Sequence, residues 1–298
     1  MTIILEQLGL LFMFIALGYF FGKKGLIKSE HSKVLSTLGT YLFSPCVVLQ
    51  AFATHFNIAN IRQYYPLILA GAAILTVLMI ASHFGAKLLA PAGYDRKVYE
   101  YSLITPNYGF MGYALAEGVF GPAALLSMIL FAIPHYIYIY TMGFCALTNR
   151  RATIKQLLNP IMLCLLAGAF IGITGIRLPD VVNSFLAKGS ACMAPMGMVL
   201  TGLVISEFDL RKLVTDKKVY ITSILRLLVI PLAAYAVLRP LCSDDVVRSA
   251  MLLLAMPCGL NTIIFPKLVG EDCSLGAKLA FVSSIMSIVT LPLILGLL

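Results

Sequence analysis

Two asparagines draw attention because of what flanks them. Asn107 lies in Thr105-Pro106-Asn107-Tyr108-Gly109-Phe110-Met111-Gly112 and Asn261 in Met256-Pro257-Cys258-Gly259-Leu260-Asn261, both inside apolar sequence. A neutral carboxamide donates to a carboxylate without the penalty of a buried charge. Pro106 and Pro257 each remove a backbone donor and clash one turn back, and Gly109, Gly112 and Gly259 tolerate non-helical backbone. Broken backbone deep in a membrane persists only where protein or a wet cavity satisfies it. Pro106, Asn107, Gly109, Pro257, Gly259 and Asn261 are therefore the expected substrate-binding residues, through their amides and through exposed N–H groups at half-helix N-termini. The competing reading is a proline kink in an ordinary packed helix. Its occurrence twice, at corresponding places in two halves, favours binding.

Other polar residues are weighed the same way. Arg226 is the one cation deep in an apolar span. It is expected to hold an anion or pair with an acid, Glu100 and Glu117 being nearest in depth, or to act structurally by bonding carbonyls or snorkelling. Gln50, one turn beyond Pro45, is expected to line the cavity or to join two helices. His83 and His135 have a ring chemistry suited to carrying protons near neutrality, although a lone helical histidine is more often simply hydrogen-bonded. Tyr136, Tyr138 and Tyr140 read as interfacial or packing aromatics, because the chain has no Trp to supply a belt.

The elements that position these residues follow from composition. Of 298 residues, 60% are hydrophobic and 12% charged, about half the charge of a typical soluble domain. A soluble globule, a disordered chain and a nucleic-acid binder are excluded. Runs free of Asp, Glu, Lys and Arg cover 7–22, 34–61, 63–86, 101–116, 118–149, 156–176, 189–206, 249–266 and 279–298. The segment 219–238 carries only Arg226, which makes ten spans near the ~20 residues a membrane helix needs. Period-2 alternation is missing, so the expectation is an all-α polytopic membrane protein with ten transmembrane helices. No cleavable signal peptide is expected, since no basic region precedes the first apolar stretch. The seven cysteines form no C-x-x-C pair and read as small apolar residues.

Charge sets the expected orientation. Loops after odd-numbered spans hold sixteen Lys and Arg, among them Lys24, Arg151 and Lys218, whereas loops after even-numbered spans hold five. The positive-inside rule then places the odd loops in the cytoplasm and both termini outside. The net charge of +9 is explained by topology. Ten spans divide into 1–150 and 151–298, and five spans per half give the halves opposite orientations. An offset of 150 residues aligns Pro45 with Pro195, Gly109 with Gly259, Val119 with Val269 and Leu125 with Leu275. The expected architecture is a 5+5 inverted repeat with broken, crossing fourth and ninth helices.

At these residues the chain resembles the auxin efflux carrier family, which includes bacterial malate and malonate permease-like proteins. The resemblance rests on 106–112 and 256–261, on Ser44-Pro45, on Ala194-Pro195-Met196 with Gly202, and on Ser284-Ile285-Met286-Ser287-Ile288-Val289-Thr290-Leu291-Pro292. It covers essentially the whole chain. It implies a fold similar to bile-acid/sodium symporters and a carboxylate held near the midplane. It also implies a scaffold of helices one, two, six and seven, around which the others move. Members often carry Gly-x-Pro-Leu where this chain has Gly112-Tyr113-Ala114-Leu115, and some plant members Val-Pro in place of Asn261-Thr262. The breaks must then rest on Pro106, Pro257 and the glycines.

The function expected is secondary-active transport of small mono- or dicarboxylates across the cytoplasmic membrane, with no cofactor, no metal and no nucleic-acid partner. No protease, esterase or phosphate-loop signature occurs, so no enzyme activity is expected. The alternatives are a sodium-coupled symporter and a non-transporting sensor module. The symporter would need acidic ligands near the crossing, and 249–270 contains none. Proton or sodium coupling and homodimer assembly are left open by the sequence.

Overall fold

The computed structural model describes residues 2–28 and 31–298, whose regular elements are helices joined by one isolated β-bridge. Apart from the single turns Ile154–Leu157 and Leu210–Leu213, in chain order they are α1 (Thr2–Lys23), α2 (Ser32–His55), α3 (Ile58–Leu89), α4 (Tyr94–Ile104), α5 (108–120), α6 (Pro122–Thr148), α7 (Pro160–Thr174), α8 (Asp180–Ser206), α9 (Lys217–Leu238), α10 (Asp244–Leu254), α11 (Asn261–Val269) and α12 (Ser274–Leu295). Among the described residues seven are long and apolar enough to cross a bilayer: α1, α2, α3, α6, α8, α9 and α12. These seven match expected spans. The sixth expected span is the shorter α7, of 15 residues, and the fourth and ninth are each two helices, α4 with α5 and α10 with α11.

Local chemistry explains the boundaries. Asn159 caps α7 by accepting from the N–H groups of Ile161 and Met162, with Pro160 in the first helical position. Gly121 at φ 86 turns the chain between α5 and α6, again ahead of a proline at the helix start. α8 begins nine residues before its charge-free run, because Asp180 and Lys188 are carried on the same helix. Charge marks where a span meets water; it does not end a helix.

The helices pack in two groups. One contains α1, α2, α7 and α8, in which α1 lies along α8, and α2 packs on α7 and α8. The α1–α8 approach needs glycine. A Cβ on Gly18 would sit 2.1 Å from the Val199 carbonyl oxygen, and one on Gly202 1.9 Å from that of Ile15. Ser44 Oγ donates to Met193 Sδ at 3.4 Å, which brings the Ser44-Pro45 and Ala194-Pro195 segments together. In the other group α3 packs on α4 and α6, α6 on α10, and α9 on α10 and α12. Large apolar side chains such as Leu17, Leu69, Leu88, Phe170, Val181 and Val237 stand fully outward. Their contact surface must be hydrocarbon.

Candidate functional site

Both expected breaks are present, and they meet. α4 stops at Ile104, and Thr105 is extended at φ −110, ψ 108, as steric conflict with the following proline ring requires. α10 stops at Leu254, and the chain runs without regular structure to Leu260. The two open stretches pair as a short antiparallel bridge between Pro106 and Cys258. Asn107 N–H donates to Pro257 O at 2.8 Å, and Gly259 N–H donates to Thr105 O at 3.2 Å. Cys258 N–H is satisfied by Ser283 Oγ of α12 at 3.0 Å. Each break thus supplies the partners the other lacks, which meets the condition for irregular backbone at membrane depth.

A cavity of about 900 Å³ opens beside this bridge. Pro106, Asn107, Gly109, Gly259 and Asn261 line it, together with Tyr108, Phe110 and Leu260. The N-terminal ends of α5 and α11 therefore both face the space, each with orphan N–H groups and a positive dipole end. Pro257 stays behind the wall and acts through its carbonyl. Gln50 and Arg226 are not among the lining residues.

The two amides differ. Asn107 is 5% exposed, and its side chain does not cap α5. Asn261 Nδ2 donates to the Tyr101 hydroxyl at 3.0 Å, and the residue also lines the cavity. Gly109 has nothing within 4 Å of where a Cβ would lie, whereas one on Gly259 would be 3.3 Å from both the Thr105 and Pro106 oxygens. Glycine at 259 serves the bridge; at 109 it keeps the floor open. The rim carries Lys33, Arg150 and Lys267. Lys267 is paired with Glu207, while Lys33 and Arg150 have no carboxylate partner among the described residues. Net positive charge at the mouth favours anions.

The tyrosine run divides by face. Tyr136 and Tyr140 line the cavity, with rings 4.8 Å apart, and Tyr136 Oη donates to Asn159 Oδ1 at 2.7 Å. Tyr138 turns away, buried near Tyr101 at 6.3 Å between ring centroids. Tyr101 and Asn159 escaped the sequence reading, and Tyr136 and Tyr140 were read only as interfacial or packing aromatics, although their i, i+4 spacing was a usable signal for a shared face. Three wide π-helical turns also border the cavity, at Gly39–Phe43, Tyr108–Gly112 and Ile139–Gly143. Such turns recur at functional sites, and no residue pattern announced them.

Arg226 belongs to a fourth such turn, Leu225–Val229, and is completely buried. It neither snorkels nor pairs with Glu100 or Glu117. Glu100 instead lies 3.5 Å from His83 Nδ1 on a lateral recess of about 450 Å³. His135 is also completely buried, and both its ring nitrogens lack a hydrogen-bond partner among the described residues.

Long apolar helices around a cavity at two joined helix breaks fit a membrane transporter. Residues 3–156 and 145–295 match the profile of the membrane transport protein family. The chain belongs to that family, the auxin efflux carriers, and is a multi-pass membrane transporter. It is 22% identical over 293 residues to an uncharacterized transporter of Methanocaldococcus jannaschii, with 94% of each chain covered. It is 26% identical over 193 residues to an uncharacterized transporter of Methanothermobacter thermautotrophicus, with 63% of each covered.

Proposed function

We propose that the chain moves small organic anions, mono- or dicarboxylates, across the cytoplasmic membrane by alternating access. The observation that carries this reading is the buried Asn107 amide, uncommitted to α5, standing in the cavity between two half-helix N-termini. A carboxylate placed there accepts from Asn107, from the second N–H of Asn261 and from the orphan backbone N–H groups of α5 and α11. Pro106, Pro257, Gly109 and Gly259 hold the backbone in the shape that exposes those donors. Gln50 and Arg226 lie outside this first contact set.

The full architecture proposed is ten spans in two inverted halves, 1–150 and 151–298, with broken fourth and ninth spans crossing at the Pro106–Cys258 bridge. The charge bias places both termini outside, so the cavity mouth with Lys33, Arg150 and Lys267 opens to the cytoplasm. The packing of α1, α2, α7 and α8 into one group supports a fixed scaffold, against which the remaining helices rock.

Uptake of labelled malonate, malate and acetate into liposomes containing the purified protein tests the reading. Saturable uptake of at least one acid, reduced roughly ten- to a hundredfold at subsaturating concentration in Asn107→Ala protein that still folds, is the expected result. No uptake or exchange of any of them overturns it. The orientation is tested separately with a single Cys at position 151 on a background lacking the native cysteines. Labelling from outside intact cells by an impermeant reagent overturns that part alone.

A further inference from the structure

Outside the cavity wall, at the other side of the bridge, buried charge is unbalanced. Arg226 Nη1 makes one long contact, donating to Leu103 O at 3.5 Å. Its Nε and Nη2 meet no partner among the described residues, and none of the described ion pairs includes it. Leu103 is in the last turn of α4, whose dipole offers about half a negative charge at that end. That leaves a guanidinium partly compensated in a site closed to bulk solvent, a costly arrangement unless another negative group arrives.

Among the described residues the surroundings supply donors and no paired carboxylate. His135, completely buried, lies within electrostatic reach of the Arg226 charge, and Cys258 of the second break lies within reach of Arg226 as well. A neutral imidazole carries one N–H donor, and neither His135 nitrogen is committed elsewhere among the described residues. Ser102, next to Leu103, is completely buried with its hydroxyl unpartnered. The free Nε–Nη2 edge of arginine is the fork that receives two oxygens of a carboxylate or one halide between its two hydrogens. One buried cation matches one negative charge, and the complete burial of Arg226, His135 and Ser102 restricts the ligand to a few atoms.

We propose that Arg226, with His135, binds one small monovalent anion of chloride or formate size, at a site separate from the cargo cavity. The anion neutralises Arg226 where α4, α6, α9 and the second break converge, and so ties the stability of the crossing to anion concentration. The site does not depend on what the cargo is. Absence of carboxylate uptake in liposomes would remove the proposed function and leave this site standing.

The test uses the full chain in nanodiscs, in sodium gluconate at constant ionic strength, titrated separately with chloride, formate and malonate. Thermal melting is followed by helical circular dichroism. Chloride and formate should each raise the midpoint saturably, by roughly 5 °C at a hundredfold excess over the dissociation constant. Arg226→Gln should lose the shift. Arg226→Lys, which keeps the charge without the fork, should need at least about tenfold more anion. Asn107→Ala should keep the full shift. If Arg226→Gln does not fold, Arg226→Lys and His135→Ala decide through their half-saturating concentrations. A wild-type midpoint indifferent to both small anions overturns the proposal, as expected if buried waters satisfy these groups. So does a shift that survives in Arg226→Gln, or an unchanged half-saturation in both Arg226→Lys and His135→Ala. A shift with malonate alone overturns it in favour of cargo reaching Arg226.

Discussion

The two helix breaks look alike in sequence and behave differently in structure. The first spans three residues, 105–107, and resumes in a wide π-helical turn; the second spans six, 255–260, and resumes directly as α-helix. The first carries Asn107, whose side chain does not cap the helix that follows. The second is followed by Asn261, which is braced by Tyr101. They are unequal because each solves the other's backbone problem: Asn107 and Gly259 donate across the bridge, to Pro257 and Thr105 respectively. Two similar sequence breaks thus differ in what they leave free: one an amide in the cavity wall, the other an amide already held.

That contrast can be broken most severely at the joint. Gly259→Val places a branched side chain against the Thr105 and Pro106 oxygens, which are already 3.3 Å from a bare Cβ. We expect a loss of about 1–3 kcal/mol from overpacking, a lowered melting midpoint and no transport. A normal midpoint would show that the bridge is not what joins the breaks.

The asparagines come next. Losing a hydrogen bond to a charged group costs ~1.5–3 kcal/mol, so Asn107→Ala should weaken cargo binding roughly ten- to a hundredfold with an unchanged melting midpoint. Asn261→Ala should weaken binding and also lower the midpoint, because the buried Tyr101 hydroxyl loses its donor. Equal stability effects in the two variants, by calorimetry beside binding isotherms, would erase the distinction between free and braced amide.

Tyr101→Phe sharpens the comparison. It releases Asn261 without touching the cavity surface, and removes one neutral hydrogen bond worth about 0.5–1.5 kcal/mol. Cargo affinity should fall roughly two- to tenfold, and the effect should vanish in an Asn261→Ala background. An undiminished effect there would separate Tyr101 from Asn261.

Gly109→Ala should do least. Nothing lies within 4 Å of the added methyl, so stability should change by less than about 0.5 kcal/mol. Affinity for bulky carboxylates should fall more than affinity for acetate, measured by competition. Destabilisation instead would mean that the floor of the cavity is packed.

Much of this was legible before folding. Apolar runs and sparse charge disclosed the membrane spans, since hydrocarbon admits little else. Pro106 and Pro257 disclosed where two spans break, since a missing N–H is a local fact. Less legible was which polar groups share a space. The spacing of Arg226, Glu100 and Glu117 suggested an ion pair by depth alone, yet Glu100 faces His83, and Arg226 turns to the end of α4.

The sequence by itself determined what each segment must avoid: water along the spans, continuous helix at the prolines, unsatisfied backbone in lipid. Those are short-range constraints, written into residue type and order. The tertiary structure alone decided partnership: that Thr105–Asn107 would meet Pro257–Gly259, that Tyr101 would brace one asparagine and not the other, and that Arg226 would lie buried with no carboxylate partner among the described residues. Such pairings join residues more than a hundred positions apart. They depend on how whole helices cross, which no local pattern encodes.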